Sequence, residues 1–168
     1  MPRIMEPTFD FSYAYPEIFI ATGTQTGNSE MVADHVAEVL TAHGFTPTVK
    51  SMLELEVEDL ATVSQFIVVT STYGDGELPD TAQDFYDALV EQQPDLSHIA
   101  YGIIALGDTD YEEFAQAGVL FDEVLTASQA IGVIAMHTID QGPTQEHIEQ
   151  ASFWALQCAE AFSEAFAD

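Results

Sequence analysis

Thr22-Gly23-Thr24-Gln25-Thr26-Gly27-Asn28-Ser29 crowds hydroxyls, amides and two glycines into one short loop. Such groups donate hydrogen bonds without carrying positive charge, so they suit an anion held by neutral donors. The apolar run Ile18-Phe19-Ile20-Ala21 feeds the loop, and an amphipathic segment follows from Glu30, with Met31, Val32, Val36, Val39 and Leu40 at helical spacing. A strand–loop–helix of this kind aims unpaired backbone N–H groups and the positive end of a helix at one spot, which favours a phosphate. A nucleoside-triphosphate loop would end in Gly-Lys-Ser/Thr, but the lone lysine of the chain is Lys50. A dinucleotide fingerprint would need three glycines at fixed spacing, and this loop has two. The plain structural alternative is a hydroxyl-rich turn that caps a helix.

Two further loops carry aromatic residues. Thr70-Ser71-Thr72-Tyr73-Gly74-Asp75-Gly76-Glu77-Leu78-Pro79-Asp80 places Tyr73 beside two glycines that let backbone approach a ligand closely. Leu106-Gly107-Asp108-Thr109-Asp110-Tyr111-Glu112-Glu113-Phe114-Ala115 supplies Tyr111. Either tyrosine alone reads equally as a half-buried surface aromatic. Together with a phosphate cradle they suit a planar ring system that carries a phosphate.

These loops need a scaffold that brings them to one edge. Apolar strands are expected at Glu17–Thr22, Thr46–Lys50, Gln65–Thr70, Ala100–Leu106 and Gly132–Thr138. Helical patterns are expected at Asn28–Ala42, near Val57–Ala61, and at Thr81–Glu91, Ala115–Ala130 and Thr144–Phe166. The third and fourth strands are nearly continuous apolar runs, as buried parallel strands require. The alternation predicts an α/β fold: a doubly wound five-stranded parallel sheet of order 2-1-3-4-5, with helices on both faces. In that order a ligand lies beyond the strand C-termini, at the switch between strands one and three.

Composition narrows the partners. The 168 residues are 47% hydrophobic, enough for one packed domain at 17–168; residues 1–16, with three prolines and no clear periodicity, read as an extended N-terminal arm. Acidic residues number 29 against 2 basic ones, a net charge of −27. That balance argues against nucleic acid and anionic membranes, and favours a basic protein partner steered by long-range attraction. Adaptation to a salt-rich cytoplasm would leave the same mark. Cys158 is the single cysteine, so no internal disulfide is possible, and it reads as a small core residue. No signal-peptide pattern or membrane-length apolar run is present, which gives the expectation of a soluble cytoplasmic protein. His35, His43, His98, His137 and His147 are scattered, and no metal site is expected.

Thr24-Gln25-Thr26-Gly27-Asn28, Thr72-Tyr73-Gly74-Asp75-Gly76 and Leu106-Gly107-Asp108-Thr109-Asp110-Tyr111 resemble the three flavin mononucleotide (FMN) loops of the flavodoxin family. The likeness leans towards the flavodoxin-like domains of cytochrome P450 reductase and sulfite reductase, and towards MioC-type proteins. It implies that Thr24, Gln25, Thr26, Gly27 and Asn28 hold the phosphate and that Tyr73 and Tyr111 flank the isoalloxazine ring. The Gly74–Asp75 peptide would lie by the ring nitrogen that gains a proton on one-electron reduction, and the Gly107–Asp108 backbone would meet the pyrimidine edge. Thr22, Ser71, Thr72, Gly76, Leu106, Phe114 and Ala115 complete the implied FMN-binding set. Ala115 departs from the Cys or Asn that relatives often carry, and Asp140 matches an acidic position near the ring.

The resemblance implies a single-electron carrier, expected to be monomeric, with no catalytic residue in the bond-making sense. It would work between a basic reductase and a basic acceptor protein. A small FMN-dependent reductase or a pathway-specific MioC-like flavoprotein is the alternative. A phosphorylatable response regulator shares the topology, but it needs an acidic pair after strand one and a lysine after strand five; here strand one ends in Thr22-Gly23. The two ring loops hold Asp75, Glu77, Asp80, Asp108, Asp110, Glu112 and Glu113 without a base. One carboxylate about 10 Å from an anionic reduced ring costs roughly 0.4 to 1.7 kcal/mol. A low potential for the second one-electron reduction is therefore expected.

Overall fold

The computed structural model describes residues 8–24, 26–73, 76–107 and 115–167. In chain order these form β1 (Glu17–Gly23), α1 (Asn28–Ala42), β2 (Thr46–Ser51), β3 (Gln65–Ser71), α2 (Asp80–Gln92), β4 (Ala100–Gly107), α3 (Gln116–Ala127), β5 (Ile131–Gly132), β6 (His137–Asp140) and α4 (Gln145–Phe166). Two short 3-10 turns, Met52–Glu54 and Val57–Thr62, carry the chain from β2 back to β3. All ladders are parallel and the order is β2-β1-β3-β4-β5, with β6 also paired to β4. This is the doubly wound order that the alternation of elements predicts.

Alternation along the buried strands builds two cores. Ile18 and Ile20 of β1 with Ile67 and Val69 of β3 face α1 and α4, where Val32, Val36, Leu40, Trp154, Cys158 and Phe162 close the layer. Ala21, Phe66 and Val68 face the other way, against Phe85 and Leu89 of α2 and Phe121 and Leu125 of α3. A side-chain period of two on strands buried on both faces requires this division. Cys158 is fully buried in the first core, and burial pushes its thiol well above the usual range.

The fifth strand position differs from the single run expected at Gly132–Thr138. Ile131 and Gly132 pair with Ala100 and Tyr101, and His137–Asp140 pairs with Ile104–Gly107. Between them the Ala135 carbonyl accepts a hydrogen bond from the Trp154 indole at 3.0 Å instead of joining the ladder. The strand is thus interrupted by a buried aromatic donor that needs a partner.

Residues 8–16 lie against the domain. Phe9 meets Phe153, Phe11 meets Phe45, and Tyr15 meets Phe166 at ring separations of 5.8, 5.1 and 5.0 Å. The Tyr13 N–H donates to Ser163 Oγ, and buried Gln65 bonds both the N–H and the carbonyl of Tyr15.

Candidate functional site

β1, β3 and β4 end at one edge of the sheet, and side-chain contacts tie their loops together there. Ser71 Oγ donates to the Gly23 carbonyl at 3.4 Å, and the Thr72 N–H donates to the Leu106 carbonyl at 2.9 Å. Thr72 Oγ1 also accepts from the Ala117 N–H at 3.0 Å, so the β3 loop caps α3. α3 needs that cap because its own N-cap, buried Ala115, sits in the left-handed region at φ +63 and has no polar side chain. Thr22 is 1% exposed and its hydroxyl turns to the Lys50 carbonyl, which places it at the base of the loop rather than in it.

Thr24 is the pivot of the first loop. Its N–H donates to Thr81 Oγ1 and its carbonyl accepts from the same hydroxyl, both at 2.9 Å. Thr24 Oγ1 in turn accepts from the N–H groups of Thr26 and Gly27, at 3.3 and 2.9 Å. A hydroxyl has two acceptor positions and one proton, so these two bonds leave the Thr24 O–H as a donor. Gly27 follows at φ +89 as the N-cap of α1, with no side chain to cap the helix. Among the described residues, no side chain caps the first-turn N–H groups of α1, which lie at the positive end of the helix dipole.

Ser29 adds a second sign of an anion site. It is fully buried on the first turn of α1, and its hydroxyl has no hydrogen-bond partner among the described residues. A buried hydroxyl without a partner costs free energy, and a phosphate oxygen would satisfy it. The donor set thus fits a phosphate monoester held by neutral groups alone. Ser29 lies in the loop but outside the set that the family resemblance implies.

The second loop is pinched by Tyr73 and Glu77, which exchange two backbone hydrogen bonds at 2.8 Å around Gly76 at φ +96. Tyr73 is 51% exposed, as an aromatic residue that stacks on a ligand at this edge would be. Gly107 ends β4, and Asp140 sits level with it on β6. Gln25, Gly74, Asp75, Asp108, Tyr111 and Phe114 lie outside the described residues.

A fourth segment reaches the same edge. The Gln141 N–H donates to the Gly107 carbonyl at 2.8 Å, and Asn28 Nδ2 donates to the Gly142 carbonyl at 3.3 Å. Thr144 caps α4: its Oγ1 accepts from the His147 N–H at 3.2 Å, and its own N–H donates to His147 Nδ1 at 3.1 Å. Behind this segment, burial and then neighbouring His147 hold the His137 imidazole below its ordinary range, and His137 Nε2 is buried with no partner among the described residues. Neither Thr81 nor Gly142 carries a local signal in the sequence. Their bonds to the first loop cross 57 and 114 positions.

A separate cavity of about 450 Å³ opens at the opposite end of the sheet, lined by Tyr15, Glu17, Phe19, Thr48, Thr62 and Gln65 among others. It shares no residue with the loops described above.

Comparison with known proteins agrees with this geometry. The sequence model of the family described as Flavodoxin matches residues 20–154. Protein MioC of Escherichia coli (strain K12) is 40% identical over 102 residues, covering 60% of this chain and 67% of that protein. The sulfite reductase [NADPH] flavoprotein alpha-component of Bacillus subtilis (strain 168) is 37% identical over 110 residues, which cover 65% of this chain but 18% of that protein. Among solved structures, oxidised flavodoxin 2 from Bacillus cereus superposes with a TM-score of 0.79 at 33% identity, over 89% of this chain and 99% of that one.

Proposed function

The chain belongs to the flavodoxin family, whose proteins bind FMN, and on that premise we propose that it passes single electrons between a reductase and an acceptor protein. The carrying observation is the donor set at the start of α1, which among the described residues comprises the Thr24 O–H, the uncapped N–H groups and the unpartnered Ser29 hydroxyl, with no cation. Neutral donors and a helix terminus bind a phosphate without a lysine. The exposed Tyr73 ring offers a stacking face, and the Tyr73–Glu77 pairing holds its loop in place.

Bound FMN supplies reversible one-electron oxidation and reduction. The chain's own residues anchor the phosphate, shelter one face of the ring and leave an edge open to a partner. With a net charge of −27, the protein attracts basic partners over long range, and it works as a monomer. No helix among the described residues is long and apolar enough to cross a membrane. Because the chain spans 18% of the sulfite reductase subunit's length, that enzyme's reaction is not carried over to it.

The test is the absorption spectrum of the purified protein, followed by titration of the flavin-stripped protein with FMN and with riboflavin. Flavin bands, stoichiometric FMN uptake and much weaker riboflavin binding are expected, since riboflavin lacks the phosphate. No uptake of FMN would end the reading. Oxidation of NADPH with a quinone by the protein alone would instead favour a reductase.

A further inference from the structure

The segment after β6 braces the phosphate loop through a chain of five residues. Asn28 Nδ2 donates to the Gly142 carbonyl, Gly142 precedes Pro143 and Thr144, and the Thr144 N–H donates to His147 Nδ1. Gly142 packs directly on the imidazole: at φ +88, a Cβ built there would stand 2.8 Å from both His147 Nδ1 and the Thr144 nitrogen. An N–H can only donate, so Nδ1 accepts, and the imidazole in this arrangement is neutral with its proton on Nε2. This is a capping box with histidine in the place usually held by Glu or Gln. Glutamine could not lose this acceptor to acid, but histidine does.

We propose that His147 is a positioning residue for the phosphate loop, and that its protonation loosens the loop and with it the flavin. The inference rests on the FMN reading above. Protonated Nδ1 becomes a donor facing the Thr144 N–H, so the box opens from the side that carries Gly142. The Gly142 carbonyl then loses its fixed place beside Asn28, the residue that starts α1. The brace therefore holds while Nδ1 accepts and is released when acid places a proton there. Among the described residues, the other titratable groups at the ends of the elements that meet here are His137 and Asp140 on β6, Glu146 and Glu149 on α4 and Glu30 on α1. Partly buried His137 resists protonation, and Gln150 bonds the Glu146 carboxylate.

FMN affinity is measured by quenching of flavin fluorescence at about pH 7.5 and about pH 5.5, on either side of the imidazole range. The full chain is compared with His147→Gln, His147→Ala and His137→Gln. The flavin phosphate itself changes charge near pH 6, but that slope is common to all four proteins. Wild type is expected to lose an extra factor of about five on acidification relative to His147→Gln, the scale of one lost cap. His147→Ala should be weaker by that factor already at the higher pH, with no extra loss. Parallel slopes for wild type and His147→Gln would overturn the proposal, as would loss of the extra slope in His137→Gln alone.

Amide hydrogen exchange of the flavin-free proteins gives an independent readout. Exchange at residues 27–30 and 141–144 should speed up in wild type relative to His147→Gln at the lower pH. Equal exchange would overturn the proposal even if FMN binds. If wild type takes up no FMN at any pH, the flavin reading falls and this exchange comparison decides the brace. Should His147→Ala fail to fold, wild type against His147→Gln still carries the test.

Discussion

Thr24 and Thr81 share one hydroxyl for two bonds: Thr81 Oγ1 accepts from the Thr24 N–H and donates to the Thr24 carbonyl, each at 2.9 Å. The backbone of the phosphate loop is thereby fixed by the first turn of α2, a different crossover of the fold. Thr81→Val keeps the shape and removes both bonds, leaving a part-buried N–H and carbonyl unpaired. We expect a loss of about 1–3 kcal/mol in stability. FMN affinity should fall by about tenfold, as for one lost contact worth about 1.4 kcal/mol. Urea unfolding and flavin titration measure the two effects; an unchanged affinity would show that the clamp does not shape the site.

Ser29→Ala should act with opposite sign on the two states. In the flavin-free protein it removes a buried hydroxyl that has no partner among the described residues, so stability should hold or rise. With FMN bound it removes a donor to a charged phosphate, a loss of about 1.5–3 kcal/mol, or roughly ten- to a hundredfold in affinity. Thermal melts with and without FMN check this, and a parallel fall in both would refute a phosphate role for Ser29.

Gly23 sits where β1 meets α2 under the loop. A Cβ there would lie 2.9 Å from Ala82 Cβ, 3.1 Å from Thr70 Oγ1 and 3.2 Å from Met52 Sδ. Gly23→Ala should destabilise the fold by about 1–3 kcal/mol through overpacking. Adding Ala82→Gly should recover part of that loss by removing the nearest atom, and a double-mutant cycle in urea reads the coupling.

His137 gives an acid-sensitive term in stability. Its folded-state affinity for a proton is reduced from the ordinary 6.5, mainly by burial and then by His147. The unfolded chain therefore binds the proton more readily, and stability falls as pH drops from about 6.5 through the lowered folded value. Above that window the group contributes no pH dependence. His137→Phe should shrink the difference in Tm between neutral and mildly acid solution; a difference equal to that of wild type would remove His137 as the cause.

The acidic ring loops should make the second one-electron reduction of bound FMN harder than that of free FMN. A carboxylate interaction of about 1.4 kcal/mol corresponds to about 60 mV for one electron. Raising salt should move the potential upward as the carboxylates are screened. A redox titration at two ionic strengths tests this, and a potential at or above that of free FMN would contradict it.

How far the chain could be read without coordinates follows from the range of each interaction. Apolar runs, amphipathic periods and loop chemistry are local, and from them come the strand order, the helix over Asn28–Ala42 and the three loops at one edge. Other features belong to contacts between distant residues. The break between Gly132 and His137 exists because Trp154, on the last helix, takes the Ala135 carbonyl. Thr81 looks like any first-turn threonine until α2 docks beside β1. Likewise, His147 has no visible task until α4 brings its cap beside Gly142 and Asn28. Local chemistry could say that the first loop suits a phosphate, because its donors are neighbours in the chain. Which of those donors are already engaged, and which remain for a ligand, depended on how the helices close over the sheet.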